Sequence, residues 1–338
     1  MNNPLNKTSN TFITRQYFQQ IINKDRVALA RAITLIESNS SSHFDQAQNL
    51  LKQILPHSGK SIRIGITGVP GAGKSTLIEA LGLFLIEQGH RVAVLAIDPS
   101  SSRSGGSILG DKTRMEKLAQ SKDAFIRPSP SGGNLGGVAS KTRETILLCE
   151  AAGFDIILVE TMGVGQGEIE VRSMVDFFLL VQIAGAGDEL QGIKKGIMEM
   201  ADAIVINKAD GDNKKAALAA KRELRLAVHY LSTSVPDWEV PVLTCSALSG
   251  EGISEIWVTA ESFIQKMKSD RLFIENRKNQ NKAWMHNLIK EQIHQKIFEN
   301  ENVKMNLSKL EDMITKNEIT PSNAANEIIK LLPKIEFK

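Results

Sequence analysis

A chain of 338 residues, 42% of them hydrophobic and 23% charged, carries enough apolar material for one large α/β domain with extensions or for two domains. Residues 268–338 hold 13 Lys/Arg against 10 Asp/Glu, so 28 of each sign cancel over residues 1–267, and the net charge of +3 is too slight to argue for nucleic acid, which calls for a clustered basic face. Cys149 and Cys245 give neither a disulfide framework nor a metal-ligand spacing, and the histidines are scattered.

Residues Met1, Asn2, Asn3 and Pro4 are polar and offer no apolar signal core. Helical patterns follow at about 13–24, 25–38 and 42–55, the second with Leu29, Ala30, Ile33, Leu35 and Ile36 on a broad apolar face. Pro56 and Gly59 close this helical prefix, residues 1–60. A β-branched run (Ile62, Ile64, Ile66) then enters Gly68-Val69-Pro70-Gly71-Ala72-Gly73-Lys74-Ser75-Thr76. That segment fills every fixed position of G-x-x-x-x-G-K-[ST], and an amphipathic stretch from Thr76 to Gln88 follows it. Small residues let backbone N–H groups converge on nucleotide phosphates, Lys74 adds a point charge, and Ser75 offers its hydroxyl to Mg²⁺. The following helix aims its N-terminus at the same place. The segment predicts a nucleoside triphosphate site.

The strand-like run Arg91–Ile97 ends at Asp98, whose carboxylate either joins a Mg²⁺ site or caps the turn Asp98-Pro99-Ser100-Ser101. Asp111 precedes a helical stretch at about 112–121, and another spans about 137–152. The run Ile156–Glu160 delivers a third acid, Glu160. Mg²⁺ takes hard oxygens and keeps several waters, so one or two carboxylates near the phosphates suffice. Beyond it, Gly163 can donate its N–H to a γ-phosphate, and Gln166 is a candidate for orienting the attacking water. Phe177–Ile183 is the best apolar run, of strand length and far short of a bilayer span. With the polar N-terminus it predicts a cytoplasmic protein without a membrane segment. Lys194, closing the loop 187–194, either approaches the nucleotide when that loop closes or faces solvent on a helix.

The run Ala203–Ile206 leads directly into Asn207-Lys208-Ala209-Asp210. A carboxylate accepts from N1–H and the exocyclic amine of guanine, whereas adenine would leave it unpaired; such pairing discriminates by about 10⁴-fold or more. Asp210 therefore reads guanine, Asn207 braces the loop, and the Lys208 stem covers the base. After a helix at about 213–231, the run Val242–Cys245 ends in Ser246-Ala247-Leu248, where a backbone amide can meet the guanine O6. A helix at about 252–267 completes the alternation. Short continuous Val/Ile/Leu strands alternating with helices predict a mostly parallel sheet covered on both faces, with ligands beyond the carboxyl ends of the strands. The last segment, residues 268–338, is helix-rich; its apolar stripe of Met285, Leu288, Ile289, Ile293 and Ile297 either packs back on the domain or makes an oligomer contact.

Seven blocks, at 65–76, 98–101, 104–115, 125–133, 160–166, 185–194 and 207–210, together resemble the methylmalonyl-CoA mutase-associated GTPases, the MeaB/ArgK-like family, over about residues 25–265. The resemblance implies a SIMIBI-class P-loop G domain at 61–267, homodimeric through the extension 268–338. It implies a G-protein chaperone whose GTP binding and hydrolysis gate cofactor loading and protection of an adenosylcobalamin-dependent acyl-CoA mutase, with the partner stimulating a slow GTPase. Asp98, Asp111 and Glu160 match the family's Mg²⁺-associated acids, and 185–194 matches its third switch, with Asp188 and Lys194. Met162, Gly167 and Ala184 depart from the residues usual at these positions. Two other readings use the same P-loop: a metallocentre-assembly GTPase, which needs the His/Cys clusters missing here, and a P-loop kinase, which gives Asp210 no task.

Overall fold

The computed structural model describes residues 14–38, 40–97, 115–128, 135–161, 167–185, 195–229 and 235–332. Among the described residues seven strands pair in the order β3-β2-β4-β1-β5-β6-β7: β1 Ile62–Gly68, β2 Val92–Ile97, β3 Ala124–Arg127, β4 Ile156–Thr161, β5 Phe177–Ile183, β6 Ala203–Asn207 and β7 Val242–Thr244. Every ladder is parallel, as the alternation of strands and helices predicts. β3 was not among the predicted strands. Four residues ending at Arg127, just ahead of Pro128, are too few to show a period, and their pairing with Val92–Leu95 of β2 makes them a strand.

The helices are α1 (14–22), α2 Arg26–Glu37, α3 Ser41–Ile54, α4 Lys74–Glu87, α5 Glu116–Gln120, α6 Leu135–Ala151, α7 Gly167–Arg172, α8 Lys195–Met200, α9 Lys214–Val228, α10 Ile253–Ser269, α11 Leu272–Phe298, α12 Glu301–Thr315 and α13 Pro321–Lys330. Because side chains alternate along a strand, each strand serves both layers. Ile64, Ile66, Leu158 and Leu179 meet Leu77 and Leu81 of α4 and Ile256 and Phe263 of α10. Leu95, Ile157 and Val159 face the opposite way, against Leu29 and Ile33 of α2, Leu50 and Ile54 of α3, and Ile146 of α6. Full burial of each such side chain contributes about 1.5–3 kcal/mol, which is why the central strands read as unbroken apolar runs. The helical prefix is thereby part of the main core. Asp25 starts α2 by accepting from the N–H groups of Val27 (2.8 Å) and Ala28 (3.1 Å).

At the amino ends of β1 and β5 the apolar layers give way to a buried ionic network. Glu150 accepts from Gly59 N (2.6 Å), Ser61 Oγ (2.6 Å) and Arg63 Nε (2.9 Å). Asp176 accepts from Arg63 N (2.8 Å) and from Arg277 Nε (2.8 Å) and Nη2 (2.6 Å). Arg277, in the first turns of α11, also donates to the carbonyls of Gly59 (2.7 Å) and Ser61 (2.6 Å). With both carboxylates paired and hydrogen-bonded, the burial is tolerated. This joint lies at the end of β1 remote from the P-loop.

The chain divides into two units, Met1–Lys278 and Asn279–Lys338. Within the second unit α12 and α13 pack on each other and bury Val303, Ala324 and Ile328, whereas Met285, Ile289 and Ile293 of α11 stay exposed. Among the described residues no helix is long and apolar enough to cross a membrane.

Candidate nucleotide-binding site

The central strand β1 carries the chain to Gly68, whose φ of 154° suits glycine and where a Cβ would lie 2.1 Å from the Val181 carbonyl oxygen of β5. The loop then turns through Gly71 (φ 77°) and Gly73 (φ 82°) and becomes α4 at Lys74. Lys74 is buried, and its Nζ donates to the carbonyls of Gly68 (2.8 Å) and Val69 (3.2 Å). Burial lowers the pKa of its ammonium group, while Glu160 and Glu168 oppose that shift. The ammonium is thus held at the P-loop, where a phosphate would compete with two neutral carbonyls for it.

Ser75 Oγ donates to Glu160 Oε1 at 3.0 Å. Glu160 is placed by its register, opposite Ile66 of β1 and Ala96 of β2. The next pair is locked by Thr161 Oγ1 donating to Thr67 Oγ1 at 2.9 Å. A hydroxyl and a carboxylate, both hard oxygen donors, therefore meet at the first turn of α4, a donor set that fits Mg²⁺ completed by phosphate oxygens and water.

β6 supplies the other half of the site. Asn207 Nδ2 donates to Ala72 O (2.9 Å) and more weakly to Gly73 O (3.4 Å), while its Oδ1 accepts from Ala247 N (3.1 Å) and Cys245 Sγ (3.4 Å). One amide thus fastens the phosphate loop to the turn after β7. Burial pushes the Cys245 thiol up to about 12, so it remains a neutral donor to that amide. Lys208 takes a left-handed φ of 58°, and its carbonyl is held by Asn213 Nδ2 at 2.7 Å. Asp210 Oδ2 accepts from Ser246 Oγ, and Ser246 is fully buried. Thr76, Ala247 and Leu248 border one cavity of about 400 Å³.

The structure thus brings together the loop 68–76, Glu160, Asn207, Lys208, Asp210 and the turn 246–248. The predicted residues Asp98, Asp111, Gly163, Gln166, Asp188 and Lys194 lie outside the described residues. Glu168 and the Thr67–Thr161 pair were not foreseen. Glu168 is fully buried at the start of α7, and its charge acts on Lys74; an acid just past a glycine-rich loop at a strand end was the signal that could have found it.

A protein-family model described as "Methylmalonyl Co-A mutase-associated GTPase MeaB" matches residues 29–302. The chain belongs to this MeaB family. Like other MeaB-family members it is a P-loop GTPase of the methylmalonyl-CoA mutase-associated class, binding guanine nucleotide and hydrolysing GTP. It is 52% identical to the probable GTPase Rv1496 of Mycobacterium tuberculosis over 91% of each chain. Identity is 50% to the GTPase ArgK of Escherichia coli over 82% of this chain and 84% of that one. It is 44% to the mitochondrial methylmalonic aciduria type A homolog of Mus musculus, over 94% of this chain and 79% of that one. Among solved structures, a LAO/AO transport system kinase shares the fold with a TM-score of 0.76 at 38% identity, over 94% of this chain and 96% of that one.

Proposed function

We propose that this GTPase is a cytoplasmic chaperone that gates adenosylcobalamin loading and protection of an acyl-CoA mutase of the methylmalonyl-CoA type. The family match supports the mutase side of this reading, and the nucleotide side rests on the double attachment of Asn207, which holds the phosphate loop and the 245–247 turn in one frame. A GTP molecule spanning that frame has its phosphates on the N–H groups of 68–76 and on Lys74, and its base against Asp210, Lys208 and Ala247. Ser75 and Glu160 would hold Mg²⁺, with Asp98 and Asp111 as further candidate ligands, and the ion would supply neutralisation of charge on the phosphate oxygens. Lys74 stabilises the charge that builds on the transferred group, and Glu160 keeps the Ser75 hydroxyl aimed at the metal position. In this reading Gln166 is the candidate for orienting the attacking water, Gly163 for meeting the γ-phosphate, and Asp188 and Lys194 for the third switch that the family resemblance implies. A two-state element that responds to phosphate release is what a bound mutase would read.

The extension 268–338 supplies the homodimer contact in this reading, supported by the exposed Met285, Ile289 and Ile293. A metallocentre-assembly role is less well supported: among the described residues no group of three or more His, Cys, Asp or Glu could hold a metal. A kinase role would leave Asp210 and Ser246 without a task. Phosphate release from GTP, measured with and without the acyl-CoA mutase of the same organism, tests the proposal. Stimulation by the mutase is the expected result; no stimulation, together with phosphate transfer to an acceptor, would overturn it.

A further inference from the structure

Helix α2 has two working faces. Ala28, Leu29, Ala32, Ile33 and Ile36 are buried in the core. Val27, Ala30, Arg31 and Thr34, at helical spacing, form a second stripe along a cavity of about 1050 Å³, with the C-cap residue Ser38 beyond them. The far wall is Phe125 and Ile126 of β3, the edge strand of the sheet. Val27 remains 60% exposed, an apolar side chain left in water beside a largely apolar wall.

The charges along this groove are one-sided. Arg26, Arg31 and Arg127 line it, with the His43 ring as a further polar group, and no carboxylate does so among the described residues, although residues 1–267 carry equal numbers of acidic and basic groups. Arg127 is neutralised by Glu37. Arg26 gives one N–H to Ser121 O (3.1 Å), and Arg31 has no ion pair or hydrogen bond among the described residues. His43 Nδ1 is held by Ser38 Oγ at 2.7 Å. Arg26, Arg31 and His43 are exposed side chains of the rim, not buried groups converging on a point. A rim of this kind complements carboxylates spread along a chain segment better than it does one phosphate, while the apolar walls receive the segment's hydrophobic side chains.

β3 stands three places from β1 in the sheet, about 14 Å at the spacing of neighbouring strands. The groove therefore shares no described residue with the nucleotide site. We propose that it holds an acidic, amphipathic segment of the partner mutase and does so in the GTP and GDP states alike. It would be a standing tether, distinct from the nucleotide-driven switches. This inference rests on the mutase-chaperone reading given above.

The test uses the full chain and the purified acyl-CoA mutase holoenzyme of the same organism. Affinity is measured by calorimetry with GDP and with a non-hydrolysable GTP analogue, at low and at physiological salt. Arg31→Glu, and Arg26→Glu combined with Arg31→Glu, should each weaken mutase binding in both nucleotide states, the double variant by about 10-fold or more. Intrinsic GTP hydrolysis should be unchanged, and Arg31→Lys should restore binding to the single site. Wild-type affinity in the double variant would overturn the tether while leaving the chaperone reading intact; failure of the wild-type chain itself to bind or respond to the mutase would overturn both. Coenzyme A, a small organic phosphate, raising the melting temperature of the wild type but not of the double variant, with mutase affinity unaltered between them, would make the groove a small-anion site and also refute the proposal.

Discussion

Asn207, Asp210 and Ser246 are joined to their surroundings by a handful of hydrogen bonds, and in the proposed reading those few atoms select the nucleotide. Ser246 donates to one oxygen of the Asp210 carboxylate, which fixes its orientation and leaves the other oxygen for a donor on the base. Guanine has donors at N1 and the exocyclic amine; xanthine has a carbonyl where the amine stood. Asp210→Asn should therefore lower GTP affinity by at least about 100-fold and raise affinity for xanthosine triphosphate. Fluorescent-nucleotide titration would show it, and unchanged GTP affinity would mean that the base is held by other groups. At the phosphate end, Lys74 and Ser75 already occupy partners in the protein, Gly68 and Val69 carbonyls and the Glu160 carboxylate. Both partnerships are local hydrogen bonds of about 1–3 kcal/mol, well below what a multiply charged phosphate offers, so the site is preorganised without being closed.

Elements position these residues, and two buried ion pairs position the elements. Arg277 ties the first turns of α11 to Asp176, immediately before β5, and to the carbonyls that precede β1. Arg277→Met would leave Asp176, with 1% of its side chain exposed, short of its charge partner. The expected loss is about 3–5 kcal/mol, read as a lowered urea midpoint; an unchanged midpoint would mean the joint contributes nothing net. Asp202, just before β6, accepts from both Arg172 terminal nitrogens (2.7 and 3.0 Å) and from Phe178 N (2.8 Å). Burial nevertheless pushes its carboxyl from 3.8 up to about 6, because desolvation outweighs Arg172 and the Phe178 N–H. A folded pKa above the unfolded one gives a contribution that is fully present below about 3.8 and is lost as pH rises through about 6. The melting temperature of the wild type minus that of Asp202→Asn should accordingly fall between pH 4 and pH 6 and level off above; a difference that rises over this interval would show that the ion pair outweighs the desolvation.

For the whole molecule, the exposed stripe of α11 is the feature a solitary chain does not explain. Met285, Ile289 and Ile293 are 51%, 46% and 54% exposed at successive helical turns. If the extension makes the homodimer contact, Ile289→Asp with Ile293→Asp should shift sedimentation from dimer to monomer while leaving GTP hydrolysis in place. A sedimentation profile identical to the wild type would remove these side chains from the interface. The same substitutions separate dimerisation from mutase stimulation, which the G domain loops would govern.

The parallel α/β fold, the glycine-rich loop entering a helix and the position of residues 207–210 at a strand end were legible in the chain because each rests on local rules. A sheet buried on both faces demands continuous apolar strands, phosphates demand glycine-rich backbone at a helix start, and guanine demands a carboxylate at a strand end. β3 was not legible, being four residues whose strand character comes from pairing with β2. Nor were the buried Glu168 whose charge acts on Lys74, the Thr67–Thr161 link, the Arg277–Asp176 joint, or the cationic groove between α2 and the sheet edge. Each of these is made by residues distant in sequence, and burial and register, which decide whether a charge is paired, stranded or displayed, exist only once the layers have closed.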